Sequence, residues 1–549
     1  MNKAEAWRPA DGLMLEPNAL AAAKETRRSL ALTAGPGAGK TEMLAQRADF
    51  LLRIGACRYP QRILAISFKV DASRNLKDRV RQRCGAELAA RLDSHTFHAF
   101  AKRLIDRFRP VLTGRDALDA DYTIGKTKIE RRQIEFEDLI PLAIQILTNS
   151  DMARNAVRQT YSHVFLDEFQ DCTGVQYQLI RIAFHGTGIP LTAVGDTKQR
   201  IMGWVGALEG VFQTFAQDFN ALPLNLYQNF RSLPRLRRMQ NAMVRVMDPP
   251  AAMPDKALAG KGGSVEVLEY DNSQHEAEGI ADMVGAWIND EGLAPSEIAV
   301  LLSRQPELYA DRLMAELAER GIPFRNEQSL QDLSVEPAAR LIVDYLMVVA
   351  GDREPDAYGR LMAILLATGL DEDAAYELRA RWHRFIDASR EQARQGRLDA
   401  AALRKTANDF LELLGRESVA ALSADYERGN RLEEVIAQTF DRIDELLRLD
   451  ADPARALSRF SEDSAVRIMT IHKSKGLEFD TVIMLGVEHQ TFWGDAAAEC
   501  SAYFVGISRA KRRLWLTVTA HRERPAGARR WDKTRTPHAE FLGYANASA

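Results

Sequence analysis

Cysteine is scarce in this chain of 549 residues. The four cysteines are widely spaced, and none forms a CxxC pair: they are Cys57, Cys84, Cys172 and Cys500. This usage argues against a disulfide framework, a structural zinc site or an iron–sulfur cluster. It is typical of a reducing compartment, so we expect a cytoplasmic location.

Long apolar runs and a strong net charge are also missing. No stretch reaches the roughly 18 consecutive apolar residues of a membrane span, and the N-terminal MNKAEAWRPADGLMLEP lacks the apolar core of a signal peptide. We therefore expect no membrane partner. The formal net charge of −3 neither supports nor excludes nucleic acid, because only a contact groove must be basic.

Short, nearly continuous apolar runs occur in two sets and predict the fold class. The runs lie at 29–35, 62–68, 163–168 and 191–196, then at 264–270, 298–303, 466–472, 481–487 and 513–519. Runs that are apolar on both faces are typical of strands in parallel sheets, and helical patterns lie between them. We predict an α/β fold with two parallel-sheet domains.

Two charged stretches lack such runs and are predicted to be strand-free helical insertions, one in each α/β domain. The predicted division is a first domain at 1–97 and 159–235 with an insertion at 98–158, and a second domain at 236–351 and 463–549 with an insertion at 352–462. The basic stretch HRERPAGARRWDKTRTPH (521–538) is interpreted as a solvated tail in preference to a nucleic acid contact.

The segment AGPGAGKT (34–41) follows a predicted strand and opens a helix. Its glycines let backbone N–H groups turn toward phosphate oxygens, and the helix N-terminus adds partial positive charge. Lys40 is placed to reach the outer phosphates, and the Thr41 hydroxyl is placed to bind Mg²⁺. The predicted nucleotide-binding residues are Ala34, Gly35, Pro36, Gly37, Ala38, Gly39, Lys40 and Thr41.

The segment VFLDEFQD (164–171) supplies two adjacent carboxylates after a strand. Asp167 is predicted to hold Mg²⁺, and Glu168 to orient and deprotonate an attacking water, which suits hydrolysis of a γ-phosphate. Arg231 and Arg509 are predicted to brace the developing phosphate charge, because a planar guanidinium does this in a way that lysine does not.

Eight segments in order give the chain a family resemblance. They span residues 34 to 511 and read AGPGAGKT, ILAISFKVDA, SHTFHAF, DEFQD, VGDTKQRIMGW, LYQNFRS, TIHKSKGLEFD and YFVGISRAK. The chain resembles superfamily 1A DNA helicases of the UvrD/Rep/PcrA type. This resemblance implies two RecA-like P-loop domains with ATP in the cleft between them.

The resemblance also implies residue roles. Gln199 would sense the γ-phosphate, and Arg231 and Arg509 would reach across from the second half of the site. Phe230 would stack on adenine, and Glu478 would lie near the ribose. The implied contacts with single-stranded DNA are Phe68, Phe97, His98, Trp204, His472 and Lys475, although the residues alone are equally consistent with a core position for Phe97 and His98.

Four positions depart from the family pattern. Met202 stands where the family has tyrosine and Val205 where it has arginine, which alters part of the DNA grip. Ala19 replaces the glutamine that reads adenine, and Glu42 replaces an arginine, which alters base recognition more than phosphate binding. Both insertions are also shorter than in the family, which predicts a strong translocase with weak or partner-dependent unwinding.

The expected function is an ATP-hydrolysing, Mg²⁺-dependent helicase that moves 3′→5′ on single-stranded DNA and acts on tailed duplexes. Three alternatives stay open. The first is a helicase subunit that works with a separate nuclease in repair or in defence against foreign DNA. The second is a DNA-binding module in which ATP only switches the affinity for DNA. The third is a P-loop kinase or GTPase. The absence of a guanine-reading NKxD and the presence of Trp204 and two arginines disfavour the last.

Overall fold

Two six-stranded sheets organise the chain. The computed structural model describes residues 3–548 except 69, 126, 200–207, 209, 327–332, 334–335, 352–353, 367–371, 396–398, 424–425, 427–429, 450–451, 459, 461–464 and 529. Within both sheets all neighbouring strands run parallel. The predicted α/β class with two parallel sheets is therefore confirmed.

The strands are numbered in chain order. They are β1 Leu30–Ala34, β2 Arg62–Ser67, β3 Leu92–Thr96, β4 Leu118–Ile124, β5 Arg131–Ile134, β6 Tyr161–Leu166, β7 Leu191–Gly195, β8 Leu222–Leu226, β9 Ser264–Asn272, β10 Ile298–Leu302, β11 Phe324–Asn326, β12 Val466–Thr470, β13 Phe479–Met484 and β14 Ala510–His521. The first sheet has the order β3-β2-β6-β7-β1-β8, and the second has the order β11-β12-β10-β13-β14-β9. We call the elements around the first sheet the first lobe and those around the second sheet the second lobe.

Helices cover the sheets and form a separate group late in the chain. The α-helices are α1 Lys3–Ala6, α2 Pro17–Lys24, α3 Lys40–Arg53, α4 Val70–Cys84, α5 Ala86–Ala89, α6 Phe97–Phe108, α7 Leu139–Asn149, α8 Asp151–Thr160, α9 Gly174–Phe184, α10 Val211–Asp218, α11 Pro234–Met247, α12 Ser273–Asn289, α13 Pro306–Tyr309, α14 Asp311–Glu319, α15 Pro337–Ala350, α16 Pro355–Leu365, α17 Glu372–Gln395, α18 Ala400–Leu414, α19 Arg416–Ala420, α20 Arg431–Leu449, α21 Pro453–Ser458, α22 Ala496–Ile507 and α23 Ala539–Gly543. In the described part of the chain, none of these helices is long and apolar enough to cross a bilayer.

The central strands are buried on both faces, which is why their sequences read as continuous apolar runs. Every residue of β7, β10 and β13 is buried. Parallel sheets need this double cover because their crossover helices lie on both faces. In such sheets ligands bind at the carboxyl ends of the strands, and these ends carry the loops that follow β1, β6 and β7.

The stretch 98–158 is not free of strands, so that prediction was wrong. β4 and β5 form a two-stranded sheet there. Their residues are mostly exposed or half-buried, so they carry no apolar run by which to recognise them. The helices of this stretch share one buried cluster with β2 and β6, so it packs as an extension of the first lobe.

The late helices build a core of their own. Tyr345 stacks on Phe410 with ring centroids 4.1 Å apart, inside a buried cluster that runs from Leu333 to Phe460. Helix α15, which the predicted division places in the second α/β domain, shares this core. By packing, the helical group therefore begins at Pro337.

Two arginines anchor the basic C-terminal stretch to the second lobe, and for these two the prediction of a solvated tail was wrong. Arg522 is buried and donates hydrogen bonds to the carboxylates of Glu276 and Glu488, at 2.6–3.0 Å. Arg535 is also buried, 3.6 Å from Glu488 Oε2, with its guanidinium 4.5 Å from the Trp531 ring centroid. Arg522 and Arg535 thus neutralise buried carboxylates, while Arg524, Arg530 and Lys533 of the same stretch are exposed.

We expect Arg522→Ala to destabilise the second lobe by about 3–5 kcal/mol, because it leaves two carboxylates buried without their partner. The matched control is Arg512→Ala, which removes an exposed arginine paired with Asp480 at 3.6 Å and should cost about 0–1 kcal/mol. Thermal unfolding, with hydrogen exchange of the β14 amides, measures the difference. Equal stability of the two variants would contradict the interpretation.

Candidate functional site

The predicted phosphate-binding loop, called the phosphate loop below, lies between β1 and α3, as the sequence predicts. Gly37 and Gly39 have φ values of 69° and 75°, a region that favours glycine. Gly39 is the residue before the first turn of α3, so the N–H groups of Lys40 and its neighbours are free of helix partners. The loop therefore offers donors and a helix N-terminus to an anion.

The segment that carries Arg231 lies directly against this loop. A Cβ atom on Gly37 would lie 2.5 Å from Asn229 Oδ1 and 2.6 Å from Arg231 Cβ, and the Phe230 N–H donates to the Gly37 carbonyl at 2.9 Å. Only glycine allows this approach. The Phe230 ring is 56% exposed beside the loop, which leaves its face open for a nucleotide base.

The two carboxylates follow β6 at the same edge of the first sheet. The Glu168 N–H donates to Asp167 Oδ1 at 3.0 Å, and Gln170 Nε2 donates to Glu168 Oε2 at 2.6 Å. Burial and the negative charge of Glu168 raise the pKa of Asp167 to about 7. Burial also opposes ionisation of Glu168, but the charges of Lys40 and Lys475 prevail and lower its pKa to about 2.

Arg509 brings the second lobe to this site. Its Nη2 donates to Gln199 Oε1 at 3.0 Å, and its Nε donates to the Val505 carbonyl at 2.9 Å. Burial and the charge of Arg231 lower the pKa of Arg509, yet a guanidinium stays charged in proteins. The Gln199 Nε2 is buried without a hydrogen-bond partner, so this donor is open to a ligand in the cleft.

Arg231 lies in the connection between the lobes. Its Nε donates to Glu478 at 2.8 Å and its Nη1 donates to the Ser508 carbonyl at 3.0 Å. Lys511 lies 3.5 Å from the same Glu478 carboxylate. The structure thus gives Glu478, expected near a ribose, a direct ion pair with the predicted arginine.

Lys475 enters the cleft after β12. Its Nζ donates to the Asp171 carboxylate at 2.7 Å and to the Gln199 carbonyl at 2.8 Å. Asp171 was missed as a site residue, although its place as the last acid of DEFQD is a signal for it. Lys475 therefore joins the two lobes, while His472 of the same loop is exposed.

The remaining expected DNA contacts fall in different surroundings. Phe97 is only 4% exposed and packs in the first-lobe core, which agrees with the core position that its residue type also allows; its contact with DNA stays a prediction. His98 packs against Phe136 at 4.3 Å, and burial lowers its pKa to about 4. Phe68 is half-buried after β2, and Trp204 lies outside the described residues, as do Met202 and Val205.

Two positions that depart from the family pattern, Ala19 and Glu42, have packing or ion-pair roles in the structure. Ala19 is buried in α2 and has no polar atom to read a base edge. Glu42 accepts hydrogen bonds from Arg83 at 2.8 and 2.9 Å and from Arg79 at 3.2 Å. Its carboxylate is thereby committed to α4, so neither position contributes a group for adenine.

Comparison with known families decides what this arrangement is. The N-terminal domain family of UvrD/REP helicases matches residues 15–124 and 115–220, and the UvrD-like helicase C-terminal domain matches residues 397–521. The chain belongs to the UvrD/Rep/PcrA type of superfamily 1A helicases. The resemblance is thus confirmed, and the two sheets are the RecA-like sheets of that family of ATP-dependent DNA helicases.

Curated relatives cover nearly the whole helicase. ATP-dependent DNA helicase Rep of Salmonella typhimurium is 26% identical over 89% of this chain and 88% of its own length. DNA helicase II of Escherichia coli is 24% identical over 90% and 83%. ATP-dependent DNA helicase PcrA of Bacillus subtilis is 23% identical over 92% and 82%.

Proposed function

We propose that this helicase is an ATP-driven motor that moves 3′→5′ along single-stranded DNA and opens tailed duplexes. The observation that carries the proposal is the hydrogen bond from Arg509 of the second lobe to Gln199 of the first, at 3.0 Å. It puts an arginine from one lobe beside the carboxylates and phosphate loop of the other. The polarity comes from the family resemblance.

The site fits ATP as its substrate. The phosphate loop and Lys40 provide donors for the phosphates, and the unpartnered Nε2 of Gln199 is a donor without a protein acceptor at the position proposed to sense the γ-phosphate. The exposed Phe230 ring offers a stacking face for the base. Because Ala19 and Glu42 supply no base-reading group, we expect weaker discrimination between nucleotide bases than between phosphate states.

The donor set also fits Mg²⁺. Thr41 and Asp167 offer a hydroxyl and a carboxylate, the hard oxygen ligands that this ion prefers, and the Asp167 carboxylate is buried at the sheet edge that carries the phosphate loop. When bound, the ion would shield charge on the phosphate oxygens. Glu168 would orient the attacking water and accept its proton.

Two contacts support coupling of the ATP site to motion between the lobes. Arg509 and Lys475 both reach Gln199, one through its side chain and one through its carbonyl. Loss of the γ-phosphate would remove the ligand that all three surround, and the lobes could then separate. The strand-contacting residues would be Phe68, His472 and Trp204, the last outside the described residues.

We expect single-stranded DNA to accelerate ATP hydrolysis, and we expect unwinding of a 3′-tailed duplex but not of a 5′-tailed duplex. Steady-state ATPase assays and strand-displacement assays measure both, and rising salt should weaken DNA stimulation because phosphate contacts release counterions. Slow turnover that ignores DNA would favour an ATP-switched binding module. Unwinding only after addition of a nuclease or other partner would favour the subunit alternative.

A further inference from the structure

An exposed tryptophan lies in the loop that follows β13. Trp493 keeps 61% of its surface exposed, and the loop that carries it leads into α22. Single exposed apolar side chains are common in proteins, so exposure alone carries no inference. Trp493 differs in how its ring is held.

Arg304 lies over one face of the indole. The guanidinium carbon is 4.0 Å from the ring centroid, close enough for a cation–π contact. The Arg304 Nη2 donates to the Trp493 carbonyl at 2.6 Å and also to the Glu499 carboxylate. One face of the indole is thus backed by an oriented cation, while most of the side chain stays open to solvent.

The loop is anchored on the residue before Trp493. Phe492 is buried and makes edge contacts with Tyr503 and Phe541, with ring centroids 5.8 and 5.2 Å apart. The Tyr309 hydroxyl donates to the Gln490 carbonyl at 3.3 Å. Because the backbone on this side is fixed, ordering the indole on a ligand costs little additional entropy.

This loop shares an edge of the second sheet with the predicted DNA contacts. The Ile471 N–H donates to the Leu302 carbonyl at 2.8 Å, and the Leu485 N–H donates to the Leu301 carbonyl at 3.0 Å. Residues 303–304, 472–475 and 485–493 therefore emerge together at the carboxyl ends of β10, β12 and β13. The charge of Arg304 also acts on His472.

We infer that Trp493, backed by Arg304, is a stacking platform for a base of single-stranded DNA on the second lobe. Aromatic faces accept any base, so such a platform adds grip without sequence preference. This chain has Met202 and Val205 where the family has a tyrosine and an arginine that grip DNA. Trp493 would supply a stacking residue on the other lobe. The inference rests on the proposed function, because it needs the strand to cross this edge.

The platform is also joined to the ATP site by one helix. Asp495 caps α22 by accepting from the Ala498 N–H at 2.8 Å, and Glu499 in its first turn holds Arg304. Arg509 follows the other end of α22 and contacts Gln199. Twelve residues of helix span about 18 Å, so base grip and γ-phosphate sensing lie at opposite ends of one rigid element.

The test is the affinity of the full chain for a fluorescein-labelled oligo-dT, measured by anisotropy without nucleotide. Trp493→Ala should weaken binding about 5- to 150-fold, the range for loss of one stacked base, and Trp493→Phe should restore most of it. The matched control is Tyr376→Ala, which removes another exposed ring, on α17, and should leave affinity unchanged. A single abasic site placed at successive positions of the oligonucleotide should weaken wild-type binding most at one position. An abasic site at that position should weaken the binding of Trp493→Ala only slightly further.

The outcomes separate the inference from the function beneath it. A wild-type chain that does not bind the oligonucleotide overturns the proposed function. A wild-type chain that binds it, with Trp493→Ala within twofold of wild type, overturns the platform alone and leaves the ring as a surface for another protein. If Trp493→Ala weakens binding and an abasic site weakens the variant further by as much as it weakens the wild type, the two losses are independent. That result also overturns base stacking at this residue.

Discussion

Replacing Arg509 by alanine is expected to lower DNA-stimulated ATP hydrolysis by about 10³- to 10⁵-fold, the range measured for arginines that complete a phosphoryl-transfer site. The side chain is 2% exposed and its Nη2 reaches Gln199 at 3.0 Å. Its charge also favours ionised Glu168. In the proposed mechanism, its removal takes away the group that couples closure of the cleft to stabilisation of the charge that develops on the γ-phosphate.

Two further variants make this test specific. Arg509→Lys keeps a positive charge but loses the planar fork that bonds Gln199 and the Val505 carbonyl together, so little activity should return. Arg512→Ala removes an exposed arginine nearby in sequence and should hydrolyse ATP at the wild-type rate. A steady-state ATPase assay, beside a thermal melt that shows Arg509→Ala to be folded, decides the matter. More than a tenth of wild-type activity in Arg509→Ala would refute the assignment.

The fold could be predicted where burial dictates sequence. Strands such as β7 and β13 are buried along their whole length. Their sequences are therefore nearly continuous apolar runs, which can be recognised without a structure. β4 and β5 are largely exposed, and a solvated strand has no such requirement. The short edge strand β11, half-buried throughout, escaped prediction for the same reason.

Phe97 shows that a periodic signal and a motif can point to different roles for one residue. Helix α6 buries residues that recur at a spacing of three and four, namely Phe97, Phe100, Ala101, Leu104 and Ile105. That spacing is the apolar face of a helix, and it places Phe97 in the core. The family resemblance of HTFHAF adds a contact with DNA, which stays a prediction beside the observed packing.

The residues alone predict the site lobe by lobe, whereas the arrangement across the cleft could be expected only from the family resemblance. The phosphate loop and the carboxylates of β6 are local motifs, each set by a strand, a turn and a helix. The contact between Gln199 and Arg509 joins residues 310 apart, and that between Lys475 and Asp171 joins residues 304 apart. Such pairs depend on how the lobes pack, which no local spacing encodes. The buried network of Arg522, Glu276 and Glu488 was hidden for the same reason.

Replacing Lys40 by alanine is expected to reduce ATP hydrolysis by about 10²- to 10³-fold, the usual cost of losing one preorganised donor to a developing negative charge. Lys40 begins α3 at the end of the phosphate loop, and its charge acts on both Asp167 and Glu168. Without it, the carboxylates keep their negative charge close to the phosphates with less to offset it.

None of the residues proposed to contact the strand belongs to the phosphate loop, so Lys40→Ala should still bind oligo-dT in the absence of nucleotide. This separation distinguishes a lost ATP site from a lost fold. Lys533→Ala is the matched control, because its ammonium is half exposed and paired with Glu523 at 2.9 Å; its hydrolysis should equal that of the wild type. ATPase rates and oligonucleotide anisotropy on the three proteins give the answer. If Lys40→Ala hydrolyses ATP at the wild-type rate, the phosphates bind elsewhere. The proposal of one ATP site formed by the loop on the first lobe and Arg509 on the second is then wrong.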